Sequence, residues 1–318
     1  MRGIGSASQQ VALVGVDWGT SSLRLVAMNS RGEVIATSDS AQGISRVTAG
    51  QFDAALEAAL QPWTLPGDIP LILSGMIGSR NGWVEAPYIP APAALSQLAD
   101  GLARHQTRSG RNLYFVPGVK LDGSSAQADV MRGEETELLG WFETNPDAGT
   151  RQDFVMPGTH CKWVEVVDRS ITRFRTCMTG EVFAILCDNS ILGRLMTPAD
   201  APAQNFQAGA AFMQGATIGL REPEALLANL FSARVMPLLE LMPATDVREY
   251  LTGLLIGSEV AGLAGHVVGP VVVIGRGELS ERYVRILELA GIAARAAAAG
   301  SAVSGQLAIA RKAGLVAE

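Results

Sequence analysis

The sequence predicts an α/β protein of two domains, and three observations predict it. A strand, a glycine turn, a second strand, a turn and a third strand occur twice, beginning near Val11 and near Phe154. A late β-branched run, residues 271–274, leads straight into Gly275-Arg276-Gly277 and a helical pattern. The length, 318 residues, suits two domains at roughly 100–200 residues each.

Taken in order, residues 11–16 are a short apolar run ending in Asp-Trp-Gly-Thr-Ser-Ser. Residues 22–28 follow at once, and Arg31-Gly32 turns the chain into 34–38, which predicts a three-stranded antiparallel meander. Residues 52–60 repeat apolar side chains at helical spacing and stop before Pro62. Residues 70–74 read as a buried strand, 75–79 as a loop, and 82–92 as an irregular segment of the kind that carries binding residues. A helix is expected over 94–104, a strand over 112–116, and a helix over 130–141 entered through Met131-Arg132-Gly133.

Pro146-Asp147-Ala148-Gly149 breaks the pattern, which places the domains at 11–150 and 151–318. The second copy of the theme then runs through strands at 153–156, 161–167 and 171–177. Helical patterns follow at 182–192, 205–220, 222–230 and 246–266. A last helix is expected over 280–289, with Ser280 able to cap it. By propensity alone, the alanine-rich 293–299 reads as helix.

Composition narrows the function. Hydrophobic residues reach 48%, enough for sizeable cores, so disorder is expected only at the ends, and the first ten residues read as a frayed extension without the apolar region of a signal peptide. A formal net charge of −6 argues against nucleic acid as a partner. Cys161, Cys177 and Cys187 are odd in number and widely spaced, as expected of reduced thiols. The most apolar stretch, 251–274, is interrupted by Glu259, His266 and Pro270, so no membrane span and a cytoplasmic location are expected.

Three motifs carry chemistry. In Asp17-Trp18-Gly19-Thr20-Ser21-Ser22-Leu23-Arg24 a carboxylate ends a buried strand, and a glycine and hydroxyls make the turn. Such a turn offers N–H groups and hydroxyls to phosphate oxygens while the carboxylate holds Mg²⁺, and an ordinary Asp-Gly hairpin is the alternative. Pro157-Gly158-Thr159-His160-Cys161-Lys162 is the same device with Thr159 and His160 at its tip. Gly275-Arg276-Gly277 lets a nucleotide lie on backbone beside a helix start. No Walker A sequence and no dinucleotide fingerprint is present.

These turns, in this order, resemble the ATPase core shared by actin, the heat-shock chaperones and the hexokinases. Four separated segments sharpen the likeness: Ser74-Gly75-Met76-Ile77-Gly78-Ser79 with Gly82-Trp83; Met131-Arg132-Gly133-Glu134-Glu135-Thr136; Met156-Pro157-Gly158-Thr159-His160-Cys161-Lys162-Trp163; and Met178-Thr179-Gly180-Glu181. They resemble the 2-dehydro-3-deoxygalactonokinase family over nearly the whole chain.

The resemblance implies two RNase H-like domains of the actin/hexokinase fold with an interdomain cleft. It also implies ATP and Mg²⁺, and phosphorylation of 2-dehydro-3-deoxy-D-galactonate at its 6-position. Asp17 is then the metal carboxylate, and Gly19, Thr20, Ser21, Arg24, Gly158, Thr159, His160, Lys162, Gly275, Arg276 and Gly277 are the nucleotide contacts. Asp17, Glu134 and Glu135 compete as the base, and Glu134 is favoured because hexokinases carry theirs at a helix start between the phosphate turns. Glu134 and Glu135 as mere helix-dipole partners are the alternative. Arg46, Ser74, Met76, Arg80, Trp83, Tyr88 and Arg132 are the expected substrate contacts. A cationic partner for the substrate carboxylate is sought among Arg46, Arg80, Arg132 and Arg175, with Arg132 and Arg80 favoured.

Met156 stands where the superfamily often has an acid, and the resemblance implies a strand, not a helix, near 293–299. A homodimer is compatible with this reading. A kinase for another sugar acid and a non-catalytic ATP-binding module are the competing functions. A sugar-sensing regulator of the same fold would add a DNA-reading helix-turn-helix, and none is expected before Val11.

Overall fold

A computed structural model describes residues 11–123, 128–197 and 208–317. The expected frayed residues 1–10 and the start of the helix expected over 205–220 lie outside the described residues. The chain forms two compact units. The first is Met1–Thr150, Val167–Arg173 and Gly300–Glu318, and the second is Arg151–Val166 with Phe174–Ala299.

In the first unit, β1 (Leu13–Trp18), β2 (Leu23–Met28) and β3 (Val34–Ser40) form the antiparallel meander. β4 (Leu71–Ser74) joins β1 in parallel, β8 (Asn112–Phe115) joins β4 in parallel, and β7 (Ala103–Gln106) closes the edge antiparallel to β8. β1 and β4 are apolar on both faces, as strands covered on both sides must be. Val14, Val16 and Trp18 face α1 (Phe52–Leu60) through Phe52, Leu56 and Leu60. On the other face Gly15 leaves room for Gln306 of α9 (Ser301–Lys312), whose Nε2 donates to Ser74 Oγ at 2.9 Å.

α2 (Glu134–Thr144) crosses α9 where Gly140 and Gly305 each face the other helix's backbone. A small sheet of β5 (Tyr88–Pro90), β9 (Gly118–Leu121) and β10 (Asp129–Met131) flanks this layer. β6 (Ala93–Ala94) pairs with Ser170 and Ile171.

The second unit repeats the order. β11 (Arg151–Met156), β12 (Cys161–Val167) and β13 (Ser170–Cys177) are neighbours, β14 (Val271–Val273) runs parallel to β11, and β15 (Ala294–Ala296) runs parallel to β14. Both six-stranded sheets therefore share one run of neighbours, β3-β2-β1-β4 and β13-β12-β11-β14; β4 is then followed by β8 and β7, and β14 by β15. α4 (Ala210–Arg221) and α7 (Val247–Leu263) pack with Gly215 and Gly219 against the α7 backbone, and Gly253 and Gly257 against that of α4. Phe212, Ile256 and Val260 from this pair meet Val155, Val273 and Tyr283 in the core, with α8 (Gly277–Leu289) completing it. α3 (Thr179–Asn189), α5 (Leu226–Leu230) and α6 (Ser232–Leu238) pack around α7.

Several expectations are corrected. The segment 94–104 is not a helix. A 3-10 turn, Leu95–Leu98, ends where Asp100 and Gly101 both donate to Gln97 O, and β7 then pairs with β8. Within 130–141, Gly133 at φ +111° separates β10 from α2. Pro223 opens a 3-10 turn before α5 where one helix over 222–230 is expected. α8 starts at Gly277, so Ser280 lies buried in its first turns and caps nothing. Pairing with β14 makes Ala294–Ala296 a strand despite its helical propensity, as the family resemblance implies. The sequence reading runs the second domain to residue 318, whereas α9 packs on α2, β1 and β4 within the first unit.

The α2–α9 crossing gives a direct test of this packing. A methyl at Gly140 would be driven into Ser301 O, so Gly140→Ala should destabilise the first unit by about 1–3 kcal/mol. Gly262→Ala, at an exposed helical position with nothing near, should leave stability equal or raised by about 0.5–1 kcal/mol. Thermal denaturation of both variants checks the contrast.

Candidate active site

The first cluster forms where β1 ends. Asp17 stands opposite Ser74 of parallel β4, and the chain leaves β4 through Gly75. Gly75 adopts φ +89°, and a side chain there would meet Trp18 O at 2.9 Å and Asp17 Oδ1 at 3.4 Å. Gly133 at φ +111° brings the start of α2 against it, and an added Cβ would lie 3.2 Å from Gly75 Cα. Backbone thus meets backbone without side chains, and Asp17 and Glu134 are carried to neighbouring places in one unit. Glu134, the favoured base, is half-buried and accepts the Arg132 N–H at 3.0 Å.

Glu135 is fully buried. Its two oxygens accept the Gly133 N–H at 2.9 and 2.7 Å, and Thr136 Oγ1 donates to it at 3.0 Å. Burial, and then the neighbouring Glu134 charge, lift its carboxyl to about 7, against the pull of backbone hydrogen bonds and Arg132.

Arg132 is buried beside this helix start. Nη2 donates to Ala86 O at 2.8 Å, Nη1 reaches Val116 O at 3.4 Å, and the guanidinium lies 4.2 Å over the Tyr88 ring. Nε is buried with no hydrogen-bond partner. Arg132 and Tyr88 therefore come together as expected. The other substrate candidates scatter. Arg80 is exposed and pairs with Glu85 at 3.4 Å. Trp83 stacks on Phe52 and meets His105 and Phe115 edge-on, so it is half-buried against the first unit's core. Ser74 is committed to Gln306, and Met76 is half-buried in a 3-10 turn. Arg46 is exposed on a turn whose Ile44 and Ser45 N–H groups bond Gly19 O and Thr20 O.

The Gly19 turn closes through Gly19 N–H to Ser22 O at 3.0 Å and leaves Thr20 and Ser21 exposed. Arg24 lies across from Asp17 on β2 and pairs with Asp39 at 2.6 Å. In the second unit, Gly158, Thr159 and His160 form an exposed tip. That tip is seated on the start of α3: Glu181 N–H donates to Thr159 O at 2.9 Å, His160 Nε2 donates to Glu181 Oε2 at 2.6 Å, and Gly180 has no room for a side chain beside Gly158 O. Lys162 lies one residue into β12, buried, with Nζ 2.7 Å from Thr176 Oγ1. It lies below the tip, in the stretch Cys161–Val164 that is buried on both faces of the strand. Gly275 rests on Pro157, while Arg276 and Gly277 are exposed at the start of α8.

Gly19 and Gly158 share a property. An added Cβ would meet nothing closer than 3.9 and 3.8 Å, and neither has a positive φ. Neither packing nor backbone conformation within the protein demands glycine there. An approach from outside, which a Cβ would obstruct, remains as a reason.

The sequence reading missed several groups. A cavity of about 340 Å³ opens beside Gly158, lined among others by Thr179, Phe183, Arg248, Arg282 and Tyr283. Arg248 lies over Phe183 with its Nε buried and unpartnered, and Arg282 is paired with Glu249 through two bonds of 2.5 and 2.9 Å. Glu181 and Glu259 were also missed as partners. The one visible signal was Glu259 as the only acid in the most apolar stretch of the chain. Among the described residues, no group of three His, Cys, Asp or Glu could hold a metal alone. Mg²⁺ that keeps waters and phosphates fits a single carboxylate such as Asp17. No described helix is long and apolar enough to cross a membrane.

Comparison with known proteins is consistent across the chain. A protein from Rhizobium meliloti described as a probable 2-dehydro-3-deoxygalactonokinase is 40% identical over 94% of this chain and 96% of its own. The 2-dehydro-3-deoxygalactonokinase of Escherichia coli is 33% identical over 91% of this chain and 94% of its own. A crystal structure of a candidate 2-dehydro-3-deoxygalactonokinase from Sinorhizobium meliloti superposes with a TM-score of 0.86 at 38% identity, covering 94% of this chain and 96% of that one. The family model described as 2-keto-3-deoxy-galactonokinase matches residues 17–309, so the chain, an α/β protein of the actin/hexokinase-like ATPase fold, belongs to that family.

Proposed function

We infer that this protein is an ATP-dependent sugar-acid kinase that phosphorylates 2-dehydro-3-deoxy-D-galactonate on its 6-hydroxyl in galactonate breakdown. The observation that carries the reading is the Gly75–Gly133 contact, which gathers Asp17 and the start of α2 at the carboxyl ends of parallel strands. The open faces of Gly19 and Gly158 support it, since phosphate oxygens can approach the backbone N–H groups there.

In this reading Asp17 holds Mg²⁺, whose chemistry is to neutralise charge on the phosphates. Thr20, Ser21 and Thr159 donate to phosphate oxygens. His160, with Nε2 held by Glu181, steadies the turn that presents Thr159. The substrate hydroxyl attacks the γ-phosphorus, the bond to the β-phosphate oxygen breaks, and the hydroxyl proton passes to Glu134. Glu134 has one oxygen steadied by Arg132 N–H, which fixes its direction. Glu135 is too buried to meet substrate and instead locks Gly133.

Arg132 takes the substrate carboxylate. A buried guanidinium with an idle Nε is costly until an anion arrives, and Tyr88 holds its plane. Arg80 and Arg46, being exposed, contribute less. Free ATP and sugar acid imply a cytoplasmic enzyme.

A coupled ADP-release assay tests the function. Release should depend on 2-dehydro-3-deoxygalactonate, with the gluconate epimer clearly poorer. Equal turnover of the two would make the epimer preference wrong, and ATP binding without sugar-stimulated release would leave a binding module. In the same assay Glu134→Gln should lower kcat by roughly 10²–10⁴-fold with little change in the KM for ATP. Near-normal turnover would exclude Glu134 as the base.

Arg132→Lys keeps the charge but loses the fork and the stack. It should raise the KM for the sugar acid by about tenfold or more, while Arg80→Ala changes it little. Unchanged constants for both would remove Arg132 from the site.

Glu135 also makes stability depend on pH. Its carboxyl is raised from 4.5 to about 7 in the fold, so its contribution is fully present below about 4.5 and is lost as pH rises through about 7. Glu135→Gln removes that loss. Urea midpoints should shift in the variant's favour between pH 5 and pH 8, and parallel curves would refute the assignment.

A further inference from the structure

Glu259 is a buried carboxylate near the end of α7, and no role has been given to it above. Three donors from three other elements converge on it. Trp163 Nε1 of β12 donates to Oε1 at 2.6 Å, Tyr283 OH of α8 donates to Oε2 at 2.9 Å, and Thr179 Oγ1 at the start of α3 donates to Oε2. The Cys161 thiol lies beside it as well. Burial first, then the Glu259 charge, pushes the Cys161 thiol well above its ordinary range, and burial followed by Cys161 and Glu259 does the same to the Tyr283 phenol, so both stay protonated.

These donors are not scattered core residues. Cys161 and Trp163 begin the strand that leaves the Gly158 turn. Thr179 precedes Gly180 and Glu181, which seat Thr159 and His160. Tyr283 sits on the helix that Gly275-Arg276-Gly277 opens. Thr179, Tyr283 and Gly158 line one cavity. One carboxylate thus ties together the turn, the helix start behind it, and the helix beyond the late glycine loop.

We propose that Glu259 is a positioning residue for the nucleotide, holding the Gly158 turn, the start of α3 and α8 in the geometry that receives the phosphates. It acts through Thr179, Trp163 and Tyr283 and touches no substrate. Trp163 Nε1 can only donate, whereas the Thr179 and Tyr283 hydroxyls can also accept, so a Gln here keeps its oxygen for Trp163, reverses both hydroxyl bonds and loses the charge that strengthens all three. This role rests on the kinase reading.

The test uses Glu259→Gln, Thr179→Val and Thr179→Ser in the full chain. Glu259→Gln and Thr179→Val should each raise the KM for ATP and the calorimetric Kd for ADP by roughly five- to twentyfold, the scale of one lost charge-assisted hydrogen bond. The KM for the sugar acid should stay within about twofold, and Thr179→Ser should resemble the unaltered protein. The double variant should be no worse than the worse single one. Without nucleotide, amide hydrogen exchange should quicken at residues 157–161 and 178–181 in Glu259→Gln while α4 keeps its protection.

A purely structural role would lower the thermal midpoint and leave both KM values and ADP affinity as they were, which would overturn the proposal. So would unchanged exchange at those segments. If the unaltered protein binds no adenine nucleotide, the kinase reading fails. If it binds and Glu259→Gln binds equally, only the positioning role fails.

Discussion

The contact between Gly75 and Gly133 governs the first unit's site. Both residues take positive φ, and neither has space for a side chain, one against Trp18 O and the other against its glycine partner. β4 therefore ends by turning across the end of β1, and α2 begins on top of that turn. No residue with a Cβ could hold either place without moving Asp17 or the helix away. Arg132, Glu134 and Glu135 take their positions from this single contact, since they flank Gly133 in the chain.

The second unit solves the same problem differently. Its turn also rests on a helix start, and Gly180 permits the close approach to Gly158. The lateral fixation comes from buried side chains that meet on Glu259. A backbone contact is steric and indifferent to protonation, whereas a carboxylate held by neutral donors depends on every donor staying in place. The two halves of one architecture thus differ in what holds them: close backbone packing backed by Glu135 in the first, side-chain hydrogen bonds to Glu259 in the second.

How far the sequence could be read follows from the range of the forces involved. The strands around the two turns and the helix Phe52–Leu60 declare themselves through local pattern, and the structure has them within a residue or two. β5, β7, β9 and β10 are three or four residues long and owe their state to a partner strand, which no window of sequence contains. The return of α9 to the first unit is likewise invisible, because an amphipathic helix does not say which sheet it covers. Lys162 is next to a phosphate turn in the sequence, and only the structure shows it buried in a strand covered on both faces, with Nζ on Thr176. Glu134 and Glu135 are adjacent and chemically alike, and only the direction of each side chain separates a half-buried acid from one locked on Gly133.

That separation bears on why an acidic protein can act on two anions. The start of α2 would ordinarily attract phosphate through its unpaired N–H groups. Here Glu134 and Glu135 already occupy the Arg132 and Gly133 N–H groups, so this helix end offers no anion site. The start of α3 is partly used too, with Glu181 N–H on Thr159 O. In the proposed reading anion binding falls to places where donors are open: the exposed hydroxyls of Thr20, Ser21 and Thr159, and the buried Arg132. In that reading the acids at α2 keep anions off the helix end itself and leave them to these donors, so a net charge of −6 is compatible with an ATP-dependent reaction on a sugar acid.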